Sequence, residues 1–112
     1  MAGDDVLIGG RGSDILIGGL GADQFVFDID FNGVDQVLDF SPEQGDTLIL
    51  EQTRSQLSKL TTNDIKLNSK GELQVRLHDK RWRSIVQLHQ PRLTFKIQQS
   101  GGRAILRFRT RF

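Results

Sequence analysis

Two nine-residue units stand back to back near the start of this chain, Gly9-Gly10-Arg11-Gly12-Ser13-Asp14-Ile15-Leu16-Ile17 and Gly18-Gly19-Leu20-Gly21-Ala22-Asp23-Gln24-Phe25-Val26. Ahead of them, Ala2-Gly3-Asp4-Asp5-Val6-Leu7-Ile8 keeps the same register without its first two glycines. A loop that bends tightly enough to aim its carbonyls at one point needs residues free to take positive φ, which glycine does cheaply. The three positions after each Asp can then form a short strand. Alternation along such a strand points only the middle side chain inward, so Leu7, Leu16 and Phe25 should stack as a slim apolar column. A solvated glycine-rich linker has no reason to place hydrophobic residues at equivalent positions. No helix-forming segment or P-loop Lys follows the glycines, which argues against a phosphate-binding loop.

These units fit the pattern G-G-x-G-x-D-x-U-x and resemble the RTX family of secreted toxins, proteases, lipases and adhesins. The resemblance implies an all-β fold, a parallel β-roll of β-helix-like calcium-binding repeats, capped by a carboxy-terminal antiparallel β-sheet. It also implies Ca2+ as the cofactor, a hard cation that takes about 6–8 oxygens from carboxylates and backbone carbonyls. In that family each loop shares its ions with the loop one coil away. By position, Gly3 and Asp5 would face Gly18, Leu20 and Asp23 across one ion, with backbone oxygens from the glycines and Leu20. Gly10, Gly12 and Asp14 would seek a partner in the next loop, around Asp28. Asp28, Asp30 and Asp35 read equally well as ligands or as turn-forming surface carboxylates. Gly19, Gly21 and Asp23 would need later ligands, and Asp39 and Asp46 are the candidates, because Val37-Leu38-Asp39-Phe40 and Gly45-Asp46 resemble the family's closing pattern.

Charge is sorted along the chain. Residues 1–51 hold 9 Asp and 2 Glu against Arg11 alone, net −10, whereas residues 52–112 hold 14 Lys and Arg against Asp64, Glu72 and Asp79, net +11. An acidic half this dense repels itself unless bound cations or the basic half compensate it. Cysteine is absent, which removes disulfides and thiolate metal sites as staples. No apolar run approaches the roughly 18 residues of a membrane span, and no basic n-region followed by an apolar h-region opens the chain, so no cleavable amino-terminal signal is expected in this stretch.

The chain divides into residues 1–50, the calcium-binding repeats with their terminal cap, and residues 51–112, a basic antiparallel β segment packed on the roll to make one folding unit. In the cap, Gln36 to Phe40 and Thr47 to Leu50 read as strands. Ser55 to Leu60 could form a short helix through Leu57 and Leu60. Beyond it, Leu73, Val75 and Leu77 alternate with polar residues, and a turn at Asn68 to Gly71 could pair them with Ile65 and Leu67. Trp82 to Leu88 is a further strand. Leu93, Phe95 and Ile97 lead through Gly101-Gly102 to Leu106, Phe108 and Phe112, a final hairpin. Strands from 65 to 112 should form an antiparallel sheet packed against, or continuing, the roll.

His78 and His89 lie near no second ligand at metal spacing and read as exposed strand residues. Trp82 among Lys80, Arg81 and Arg83 could be a stacking platform, or an edge aromatic flanked by solvated charges. Arg107, Arg109 and Arg111 place cations on one strand face, where they could grip an anionic polymer or the acidic half. The leading expectation is a non-enzymatic, calcium-binding carboxy-terminal module of a larger secreted bacterial protein, folding on external calcium and supporting type I secretion through transient contact with that machinery. The alternative is a module that binds anionic, acidic polysaccharide; nucleic acid is not an expected partner. No nucleophile, general base and orienting group converge in the sequence.

Overall fold

The computed structural model describes residues 3–9, 12–28, 33–51, 62–76, 81–89, 93–100 and 103–110. Each Asp of the nine-residue units is followed by a strand: β1 (Val6–Ile8), β2 (Ile15–Leu16) and β3 (Gln24–Asp28). Next come β4 (Asp35–Val37) and β5 (Thr47–Glu51). The turn at Leu38 and Asp39 ends β4 earlier than the sequence pattern suggests. The five strands alternate between two sheets. β1, β3 and β5 lie parallel in the first, with Leu7 opposite Phe25 and Phe25 opposite Leu48. β2 and β4 lie parallel in the second, with Leu16 opposite Val37. Strand alternation sends the middle residue of each short strand inward: Phe25 and Leu48 are fully buried, whereas Val6, Ile8 and Ile15 are exposed.

The basic half does not form one antiparallel sheet, as the alternation predicts, but two separate extensions. β6 (Ile65–Leu67), β7 (Glu72–Arg76) and β8 (Trp82–Gln87) continue the second sheet, with β8 parallel to β4. β9 (Leu93–Ser100) and β10 (Arg103–Thr110) continue the first, with β10 antiparallel to β5. The cause is backbone hydrogen bonding, since β4 and β5 would each leave a row of donors and acceptors unpaired and each sheet takes its own neighbour. The tight turn expected at Asn68 to Gly71 is present, with Asn68 Oδ1 accepting the N–H groups of Lys70 and Glu72. A four-residue turn dictates antiparallel pairing of β6 and β7.

The result is an all-β fold of two five-stranded mixed sheets, ordered β1-β3-β5-β10-β9 and β2-β4-β8-β7-β6, with no α-helix among the described residues. Parallel pairing runs only from β1 to β5 and from β2 to β8. The predicted helix at Ser55–Leu60, and Leu77, His78, Arg111 and Phe112, lie outside the described residues. One apolar cluster fills the space between the sheets, drawing Phe25, Phe27, Leu48, Leu50, Leu106 and Phe108 from the first and Val37, Leu73, Val75 and Val86 from the second. Phe40 joins the halves, its ring 6.1 Å from Phe25 and edge-on to Phe108 at 5.2 Å. Burying each such side chain contributes about 1.5–3 kcal/mol. That support thins toward β1 and β2, where Leu7 and Leu16 are only partly buried.

Candidate metal centre

Where the core thins, carboxylates take over the contacts between successive strands. Asp5, Asp23 and Asp46 immediately precede β1, β3 and β5, so parallel pairing lines them up. The Asp5 N–H donates to Asp23 Oδ1 at 3.0 Å, and the Asp23 N–H donates to Asp46 Oδ1 at 2.8 Å. Backbone bonds accompany each step, from Gln24 N–H to the Asp5 carbonyl and from Thr47 N–H to the Asp23 carbonyl. A second ladder runs beside it on the other sheet. There the Asp14 N–H donates to Asp35 Oδ1 at 2.7 Å, and Gln36 N–H donates to the Asp14 carbonyl.

Glycines let these layers approach closely. Gly21 and Gly33 have φ of +101° and +122°, and a Cβ on either would collide with the carbonyl of Gly3 or Gly12 one coil away. Gly18 lies against Asp23 Oδ2, and Gly9 against Asp35 Oδ2. Gly18 and Gly19 donate their N–H groups to the two oxygens of Asp39, at 3.0 and 2.7 Å. Further staples are Ala22 N–H to Asp4 Oδ1, Gly21 N–H to Gln44 Oε1, and Val34 N–H to Ser13 Oγ.

Electrostatics leave the ladders incomplete. Asp5 Oδ2, Asp14 Oδ2 and Asp23 Oδ2 are buried and accept no hydrogen bond. A buried, unsatisfied polar oxygen costs about 1–3 kcal/mol, and more when charged. Among the described residues no Lys or Arg pairs with them; Arg103 pairs with Glu51 and Arg76 with Asp64. Asp35 and Asp46 feel the same crowding. Burial raises both carboxyls above the usual carboxylate range, against the lowering effect of the N–H bonds from Asp14 to Asp35 and from Asp23 and Ser41 to Asp46. The charge of Asp14 adds to the rise at Asp35, and those of Asp23 and Asp39 at Asp46.

These buried carboxylate oxygens make an all-oxygen donor set of the kind that suits a hard cation. No group of three or more His, Cys, Asp or Glu side chains converges as a metal site among the described residues. Such an ion would complete its shell from backbone carbonyls, as hard cations do. Calcium fits this donor set. Asp5, Asp14 and Asp23 would hold it, supported by Asp35, Asp39 and Asp46.

The sequence candidates fall into place unevenly. Gly3, Asp5, Gly18, Gly21 and Asp23 come together on one loop face, joined there by Gly19, Asp39 and Asp46. Gly12 and Asp14 meet Gly33 and Asp35 on the other. Leu20 holds an exposed side chain at a loop tip. Asp28 ends β3 opposite Glu51, and Asp35 is the carboxylate that accepts the Asp14 N–H. Gly10 and Asp30 lie outside the described residues. Asp35 carried a usable signal, because Gly33-Val34-Asp35 repeats the spacing of Gly12-Ser13-Asp14. Trp82, read as a possible stacking platform, has Lys66 Nζ 4.2 Å and the Arg76 guanidinium 5.1 Å from its ring centroid.

Residues 1–31 match the sequence model of the RTX calcium-binding nonapeptide repeat (4 copies). No curated protein and no solved structure matches the chain.

Proposed function

Since this chain carries RTX-type calcium-binding nonapeptide repeats over residues 1–31, we propose that it is a non-catalytic, calcium-binding module of a secreted protein, wound only when the ion is present. The observation that carries this reading is the trio of buried oxygens without partners on Asp5, Asp14 and Asp23. Alternation of β1 to β5 between two sheets, with parallel pairing in each, supports reading residues 3–51 as a short β-roll closed by the mixed-sheet half. Asp5, Asp14 and Asp23 hold the ions, while Asp39 and Asp46 fix the loop backbone through their N–H acceptors. Bound calcium supplies the positive charge that lets these carboxylates stack.

Compartment follows from affinity. Extracellular calcium modules bind at about 10⁻⁴–10⁻³ M, far above cytosolic free calcium, and a site missing from the unfolded chain makes binding free energy part of folding free energy. The repeats would stay unwound inside the cell and wind outside it, a behaviour suited to export as an unfolded chain through a type I secretion channel. Far-ultraviolet circular dichroism tests this directly. In chelator the chain should show reduced β-structure that grows as calcium rises into the millimolar range, with magnesium ineffective. A spectrum unchanged between chelator and 10 mM calcium, a concentration about tenfold above the weakest expected site, would overturn the proposal.

A further inference from the structure

The basic half carries a second unbalanced cluster, of opposite sign. Three successive cross-strand pairs of the β9–β10 hairpin, Lys96–Arg107, Phe95–Phe108 and Thr94–Arg109, line a cleft of about 280 Å³. Thr94, Lys96, Arg107 and Arg109 are exposed, while Phe108 is buried against Phe40 and Phe95. The cations thus stand on a strand pair stiffened from beneath, and a site on strands is better preorganised than one on a loop. Gln98 Oε1 accepts a 2.7 Å bond from Arg107 and fixes that guanidinium.

Among the described residues no acidic side chain lines the cleft, and neither Lys96 nor Arg109 has an ion-pair partner. Like charges directly opposite one another on paired strands, as Lys96 and Arg107 are, destabilise a sheet. Protection of a free edge accounts for Lys96 alone, since β9 is the edge strand and β10 lies inside the sheet between β5 and β9. Arg107 and Arg109 need another reason.

We propose that this cleft binds a doubly charged oxyanion, the phosphate group of a small monoester. Two guanidiniums offer forked donors that match tetrahedral oxygens, and Lys96 adds a point charge. A single carboxylate would leave two of the three charges uncompensated. At roughly 30 Å³ per water-sized group, the cleft holds about nine heavy atoms, enough for a phosphate and a small organic remainder. The site is independent of the calcium loops.

The test uses the full chain in calcium, with methyl phosphate and sulfate as probes and sodium chloride at matched ionic strength as the control. Side-chain and amide NMR signals of Lys96, Arg107 and Arg109 should shift saturably with both probes and not with chloride. Arg109→Gln should weaken binding about tenfold, the loss expected for one charge-assisted hydrogen bond. Arg103→Gln, outside the cleft and paired with Glu51, should leave it unchanged and controls for a general loss of charge. Equal shifts with chloride, or equal effects of the two substitutions, would overturn the proposal. So would binding to phosphatidic acid vesicles without any response to methyl phosphate, because the source would then be a membrane surface and not a small ester.

Discussion

Asp23 is the residue on which both halves of its ladder turn. Its Oδ1 holds the Asp5 N–H, its own N–H is held by Asp46, and its Oδ2 is buried without a partner. Asp4 makes one exposed bond, to the Ala22 N–H. Asp23→Ala should therefore cost the calcium-loaded protein about 2–3 kcal/mol and raise the calcium midpoint, while Asp4→Ala costs under about 1 kcal/mol. Asp23→Asn keeps an acceptor for Asp5 but not the charge, so it should restore little calcium affinity. Equal midpoints for Asp23→Ala and Asp4→Ala would remove Asp23 from the ion sites. Protons should oppose calcium at the same place. Burial raises the Asp35 and Asp46 carboxyls above their ordinary range, so the calcium-free fold holds protons that the unfolded chain has released. Stability of that fold then falls as pH rises from the ordinary carboxylate range through the raised values. In chelator, β-structure should increase on acidification from neutral pH, while the calcium midpoint rises because the ligands must be ionised. A chelated sample that loses structure over the same window would contradict this. Asp5, Asp14 and Asp23 were legible from the nine-residue period alone. The period misses Asp35, which follows Asp14 by 21 residues where Asp23 follows Asp5 by 18, and only the Gly33-Val34-Asp35 spacing marks it.

Short strands divide the molecule by what holds them. β1 and β2 pair with one neighbour each and rest on partly buried Leu7 and Leu16, whereas β10 pairs on both sides and packs Leu106 and Phe108 into the cluster. Removing calcium should accordingly free the amides of β1 and β2 to exchange, with β9 and β10 still protected. Hydrogen-exchange mass spectrometry of the calcium-loaded and chelated protein measures the contrast; loss of protection at the same rate in both regions would mean that the chain opens as one unit. Strand existence was readable from the alternation of Leu73 with Val75 and of Leu106 with Phe108, since burial of one face imposes period two. Partners were not. Local sequence cannot tell that β8 pairs parallel with β4 and β10 antiparallel with β5, because those choices depend on which sheet has an unpaired edge when the chain returns. The exceptions are β6–β7, where Asn68 and Gly71 encode the turn itself, and β9–β10, read as a final hairpin and found antiparallel.

Across the whole molecule, the opposite charges of the two halves do not cancel in the loops. Phe40 brings the acidic and basic halves into one core, yet Arg103 pairs with Glu51 and Arg76 with Asp64, away from the ladder carboxylates. Long-range attraction of calcium by the net −10 of residues 1–51 is screened beyond about 10 Å at 0.1 M salt, but short contacts to buried oxygens are screened far less. Raising sodium chloride from about 0.05 to 0.5 M should weaken the calcium midpoint by less than about tenfold and leave the transition intact. Disappearance of the transition in high salt would show that diffuse charge, not the buried oxygens, drives it. The carboxylate-to-amide links from Asp5 through Asp23 to Asp46 have one further effect. Each rung can be set only when its neighbour is, so filling one position readies the next. If calcium winds the repeats as proposed, such an interlock should answer a gradient with a threshold, taking them from slack chain to wound structure over a narrow span of concentration.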